Sequence, residues 1–175
     1  VSEAEVQLVL FDLDGTLVET APEIRDALAD TLHALGLAPA PLEQVETWIG
    51  QGTGTLLLRA LGQRGVRRVL ITNKEQRFTA NVLRRHGLRP LLDRVVCGDT
   101  LPRRKPDPAG VLDCLRAFDV PARRAVLVGD SATDIATARD AGIPVWALAH
   151  GYNRGEPIAA AAPDRVLDSL RAVLQ

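Results

Sequence analysis

The sequence predicts an α/β fold, a Rossmann-like doubly wound parallel sheet, and three observations carry that expectation. Short apolar runs rich in β-branched residues recur without polar alternation, as in strands buried on both faces. Helical patterns follow most of them, so strand and helix alternate along the chain. A longer, polar-rich stretch interrupts this rhythm after the first strand and reads as a small inserted α-helical cap.

Val6 to Phe11 (VQLVLF) is the first strand and runs into Asp12-Leu13-Asp14-Gly15, where glycine permits a sharp turn. Residues 18–65 are the expected cap. Pro22 to Leu35 has amphipathic spacing, Pro39-Ala40-Pro41 marks a turn, and Gly50, Gly52 and Gly54 break the chain again. Four helices of ~11 residues with connections of ~5 need roughly 60 residues, so this cap is expected to be truncated or incomplete. The core is expected to comprise residues 1–17 and 66–175. In it, Arg68 to Ile71 forms the second strand and leads into Thr72-Asn73. The helix from Glu75 to His86 places Phe78, Val82 and Leu83 on one face and ends at Gly87. Arg94 to Cys97 is the third strand. Asp107-Pro108 then opens a helix whose stripe is Val111, Leu112, Leu115 and Phe118. Ala125 to Val128 precedes Gly129-Asp130, the helix from Ala132 to Ala141 stops at Gly142, and Pro144 to Ala149 is the last strand.

Composition narrows the function classes. The 175 residues carry 21 basic and 22 acidic side chains, a net charge of −1 that gives no support to a nucleic-acid or membrane-surface role. The arginine pairs at 67–68, 84–85, 103–104 and 123–124 read as solvated helix ends and loops. Cys97 and Cys114 form no CxxC motif, the first residues resemble no secretory signal, and no apolar run approaches a membrane span. A cytoplasmic location is expected, for a chain acting as monomer or homodimer.

In a doubly wound sheet ligands bind at the carboxyl ends of the strands, and there Asp12, Thr72 and Asp130 all fall. Lys105, in the loop that opens the next helix, can reach the same edge. Asp12 and Asp14 share a side of the extended chain, and paired acids normally accompany a cation or a shared proton. Mg²⁺ suits carboxylate oxygens and a substrate phosphate. Asp130 adds a ligand from another strand, and Asp134 can support the metal's waters. Thr72 offers a hydroxyl, Asn73 a backbone N–H at a helix start, and Lys105 a compact cation for phosphate. Singly, each has a plainer explanation: strand-end aspartates cap helices or form turns, threonine caps helices, and lysine is usually solvated. Their joint occurrence at one sheet edge is what points to chemistry.

Asp12-Leu13-Asp14-Gly15-Thr16 resembles the first motif (DxDGT) of the haloacid dehalogenase superfamily. Thr72 resembles its second motif, Lys105 in Lys105-Pro106-Asp107-Pro108 its third, and Gly129-Asp130-Ser131-Ala132-Thr133-Asp134 its fourth (GDxxxD). The stretches FDLDGTLVET, ITNKEQRFTANVL, CGDTLPRRKPDP and HGYNRGEPIA are similar to the bacterial phosphoglycolate phosphatases of that superfamily. The resemblance implies a phosphomonoester hydrolase acting on a small phosphorylated metabolite through an aspartyl-phosphate. Asp12 is then the nucleophile and Asp14 the general acid/base, while Thr72, Asn73 and Lys105 bind phosphate. Asp12, the backbone carbonyl of Asp14, and Asp130 hold Mg²⁺, with Asp134 behind them. Asp14 speaks against the dehalogenase branch, which needs no protonated leaving group.

Other readings stay open at this point. A phosphatase or phosphomutase for another small metabolite, such as a sugar phosphate, fits the same motifs. A receiver-like signalling domain also pairs acids with Thr and Lys, but there the phosphorylated Asp ends a middle strand. A non-catalytic relative would rest on the short cap alone.

Overall fold

The structure, a computed structural model, describes residues 6–14, 16–17, 58, 61–62, 65–153 and 155–168. Most of the expected cap, with its Pro22–Leu35 helix, and the Gly15 turn lie outside the described residues. Within them, six strands form one parallel sheet: β1 (Leu8–Phe11), β2 (Arg67–Ile71), β3 (Arg94–Val96), β4 (Ala125–Gly129), β5 (Val145–Leu148) and β6 (Arg165–Leu167). Their order across the sheet is β3-β2-β1-β4-β5-β6. The chain moves outward from β1 to β3 and then returns to β4 on the other side of β1. This reversal is the switch point of a doubly wound sheet, and it opens a crevice at the carboxyl ends of β1 and its neighbours.

The absence of polar alternation in β1 has a direct cause. Leu8 and Leu10 pack with Val69, Ile71 and Leu127 on one face, whereas Val9 and Phe11 pack with Leu70, Val126 and Val128 on the other. All four residues of β1 are buried. A strand with apolar layers on both sides must be apolar at every position.

Helices α1 (Gln76–Arg85), α2 (Ala109–Phe118) and α3 (Ala132–Asp140) pack on these faces. Helix α1 buries Thr79, Val82 and Leu83, a stripe at i, i+3 and i+4. Phe78, expected on that stripe, is about half exposed. It precedes Thr79 by one residue, about 100° around the helix, and the Arg77 guanidinium lies over its ring instead. Gly87 takes a φ of +64° beyond the helix end, the left-handed turn expected there. Helix α2 begins at Ala109, with the Asp107 carboxylate accepting the Ala109 N–H at 2.9 Å. It turns Val111, Cys114 and Leu115 toward the sheet face that also receives Ile135 and Ala138 of α3.

Strand β6 has no counterpart among the expected strands. It is only three residues long and its Arg165 and Val166 are exposed, so no apolar run marks it. It adds to the sheet edge by pairing with Trp146 to Leu148. No helix among the described residues is long and apolar enough to cross a membrane.

Candidate active site

Asp12 stands one residue past β1, and its backbone N–H continues the ladder by donating to Val128 O at 2.8 Å. Thr72 stands one residue past β2 and likewise donates to Val96 O at 2.9 Å. Asp130 follows β4 directly. The parallel register therefore carries three candidate side chains to one edge of the sheet, all of them buried.

Lys105 arrives from the loop ahead of α2. Its ammonium donates to Asp12 Oδ1 at 2.6 Å and to Asp134 Oδ1 at 2.6 Å. Asn73 donates through Nδ2 to the Lys105 carbonyl at 2.8 Å, so the loop after β2 steadies the backbone that presents the lysine. The Asn73 side chain thus faces the Lys105 loop, leaving the backbone of this segment as its means of meeting a phosphate. The Thr72 hydroxyl accepts the Lys74 N–H at 3.1 Å, so its own hydrogen is left to donate.

Asp134 is fixed twice over. It sits in the first turn of α3, where it forms a capping box with Ser131. Its Oδ2 accepts from the Ser131 hydroxyl at 2.6 Å and from the backbone N–H of Asp130 and Ser131, while Oδ1 takes Lys105. Gly129 is required here by space alone, since a β-carbon at that position would lie 2.5 Å from the Asp134 side chain.

Asp130 is held from the far loop. The Tyr152 N–H donates to its Oδ2 at 2.7 Å, and a β-carbon on Gly151 would stand 2.3 Å from the Asp130 β-carbon. Asn153 accepts the Ala132 N–H at the start of α3 and fastens the same loop.

Asp12, Asp130 and Asp134 bring carboxylate oxygens within 4.8 Å of one another. Burial pushes the Asp12 carboxyl up to about 7, outweighing the Lys105 ammonium that pulls it down, and the Asp134 charge adds to the rise. Burial likewise pushes Asp130 up to about 6, against the Tyr152 N–H. Burial works against the charge of Lys105, but Asp12 and Asp134 outweigh it and hold the lysine above its ordinary range. One lysine leaves this cluster with excess negative charge. Among the described residues, Asp12 Oδ2 and Asp130 Oδ1 take no hydrogen bond from another residue. Two crowded, desolvated carboxylate oxygens suit a hard, oxygen-seeking cation.

Asp14 is placed differently. Its carboxylate does not join the cluster but pairs with the Lys74 ammonium, which donates to Oδ1 at 2.5 Å. Any metal contact by Asp14 alongside this pair would come from its backbone carbonyl. Both side chains are about a quarter exposed, at the open side of the site.

Of the residues expected from sequence, the structure brings the carboxylates of Asp12, Asp130 and Asp134 within 4.8 Å of one another, with Lys105 bonded to Asp12 and Asp134 and with Thr72 and Asn73 on the adjoining strand end. Four residues contribute to the site beyond those expected. Lys74 was legible only as the residue after Asn73 in ITNK. Ser131 could have been found as a helix cap three residues ahead of an acid. The hold of Gly151 and Tyr152 on Asp130 is a backbone effect without a residue-type signature.

The sequence model of the family described as haloacid dehalogenase-like hydrolase matches residues 55–148. A phosphoglycolate phosphatase of Pseudomonas fluorescens (strain Pf-5) is 34% identical over 213 residues, covering 96% of this chain and 78% of the relative. Phosphoglycolate phosphatase 1 of Pseudomonas aeruginosa is 35% identical over the same shares. These alignments run longer than the 175 residues of the chain, so the relatives carry residues that have no counterpart in it. The crystal structure of a predicted phosphoglycolate phosphatase from Haemophilus somnus 129PT superposes with a TM-score of 0.83 at 26% identity, covering 99% of this chain and 98% of that one. CbbY from Rhodobacter sphaeroides, solved in complex with phosphate, superposes with a TM-score of 0.72 at 25% identity, covering 94% of each chain.

Proposed function

Because the chain belongs to the haloacid dehalogenase-like hydrolases, we propose that it hydrolyses 2-phosphoglycolate to glycolate and phosphate through an aspartyl-phosphate on Asp12. That it is a phosphatase follows from its relatives. The observation that carries the mechanism is the buried cluster of Asp12, Asp130 and Asp134 around the single ammonium of Lys105.

Lys105 orients the Asp12 carboxylate through Oδ1, and that carboxylate attacks phosphorus in line with the departing alkoxide. The P–O bond to the substrate carbon breaks as the bond to Asp12 forms, and Asp14 gives its proton to the leaving oxygen. Asp14 then takes a proton from water, which attacks the phosphoryl group and frees Asp12. The Thr72 hydroxyl and the Lys105 ammonium donate to the phosphoryl oxygens, where charge spreads in the transition state. Asp134 does not touch substrate in this account; it anchors Lys105.

The donor set fits Mg²⁺. Asp12 Oδ2, Asp130 Oδ1 and the backbone carbonyl of Asp14 would hold it, and when bound it neutralises charge between the carboxylates and phosphate. The relatives carry residues with no counterpart in this chain, and the proposed place of that shortfall is the inserted segment, residues 18–65. A shortened cap covers the site less completely, so discrimination among phosphoesters is expected to be weaker than a full lid allows. Phosphate release from 2-phosphoglycolate, with and without Mg²⁺, tests this function. Turnover only of a sugar phosphate, or its conversion to an isomer without free phosphate, would contradict it.

A further inference from the structure

Beyond the residues the motifs supply, Lys74 stands at the open side of the site with no role in the mechanism above. Its backbone is held from three directions. The N–H donates to Thr72 Oγ1 at 3.1 Å, while the carbonyl accepts from the Gly98 N–H at 3.0 Å and from the Thr79 hydroxyl at 3.4 Å. A lysine presented from so fixed a stem has a defined reach. That reach ends on Asp14, the expected proton donor to the leaving group, at 2.5 Å. The contact is not there for stability, because a partly exposed pair of this kind contributes only about 0–1 kcal/mol.

The chemistry of the leaving group explains the placement. In 2-phosphoglycolate one methylene separates the ester oxygen from the carboxylate. The group that protonates that oxygen and the group that receives that carboxylate must therefore be close neighbours, as Asp14 and Lys74 are. Lys105 cannot serve, since it is buried, two of its N–H groups go to Asp12 and Asp134, and the third is taken by the phosphoryl oxygens in the proposed mechanism. Lys74 has three N–H donors, and among the described residues only Asp14 accepts one, so two remain for a second carboxylate.

We infer that Lys74 is a specificity residue that binds the carboxylate of the leaving group. It shares its ammonium between that carboxylate and Asp14. The inference rests on the proposed phosphoglycolate activity, and it holds Lys74 responsible for the preference over phosphoesters that lack a carboxylate.

The test compares kcat/KM for 2-phosphoglycolate and for ethyl phosphate, at saturating Mg²⁺, in the parent, Lys74→Met, Lys74→Gln and Lys74→Arg. A charge-assisted contact of this kind is worth about 10–100-fold in selectivity. Lys74→Met and Lys74→Gln are expected to reduce the preference for 2-phosphoglycolate by about that factor, mostly through KM, and Lys74→Arg to restore part of it. A parent that prefers 2-phosphoglycolate, with variants that lose both substrates equally, would overturn the inference and make Lys74 a prop for Asp14 alone. Variants that keep the full preference would overturn it as well. A parent that shows no preference would instead overturn the phosphoglycolate reading, and this inference with it.

Discussion

Two lysines meet aspartates at the same sheet edge, and the two meetings differ in kind. Lys105 is buried, touches two carboxylates at 2.6 Å, and still leaves the acids around it with raised proton affinities. Lys74 is a quarter exposed and touches one. The first is an interior ion cluster whose members cannot be removed singly without leaving an uncompensated charge. The second is a partly exposed, solvent-screened pair that adds little to stability. In the proposed mechanism the difference separates the part of the site that handles the phosphoryl group from the part that meets the leaving group.

The comparison can be broken most severely at its centre. Asp12→Asn removes the proposed nucleophile and is expected to lower kcat by about 1,000-fold or more, read as Mg²⁺-dependent phosphate release. Lys105→Met follows, with a loss of about 100–1,000-fold in kcat. It should also cost about 3–5 kcal/mol of unfolding free energy in denaturant titration, because Asp12 and Asp134 lose their only buried cation among the described residues. An unchanged midpoint would show that the cluster is not energetically interior.

Gly151→Ala forces a β-carbon against Asp130 and should raise the Mg²⁺ concentration needed for half-maximal activity about 10-fold. Smaller still is the pH effect. Asp12 and Asp130, pushed up to about 7 and about 6, keep their protons in the folded state at pH values where the unfolded chain has lost them. Their contribution to stability therefore falls as pH rises from about 4 to about 7. A bound cation opposes that loss, so the Mg²⁺-induced rise in Tm is expected to be larger at pH ~7.5 than at pH ~5. Equal shifts at both would contradict it. Least affected is the stability of Lys74→Met, which should differ from the parent by less than about 1 kcal/mol.

Much of this site was legible because it uses residue types at strand ends. Asp12, Thr72 and Asp130 each terminate a run of apolar residues, and the parallel register does the rest. Asp134 and Lys105 were legible as residue types near those ends, although their mutual contact was not, since 29 residues separate them in the chain. Lys74 was overlooked because a lysine at a helix entrance has an ordinary solvated reading, and only its distance to Asp14 distinguishes it. The same limit applies to the fold. β1 and β4 announce themselves by unbroken apolar character, whereas β6 is held by edge pairing and by Arg165 over the Trp146 ring, which no local pattern reveals. Phe78 shares a helical face with Val82, four residues on, but the buried stripe is centred beyond it, toward Thr79 and Leu83, and Phe78 stays half exposed.

The central claim is that the phosphoryl group passes through Asp12. An acyl phosphate is reduced by borohydride to an alcohol, which converts a phosphorylated aspartate into homoserine. Quenching turnover of 2-phosphoglycolate with borohydride and sequencing the peptide by mass spectrometry should place homoserine at position 12, with none in Asp12→Asn. Homoserine at Asp14 or Asp130 instead, or none anywhere while phosphate is released at full rate, would contradict it.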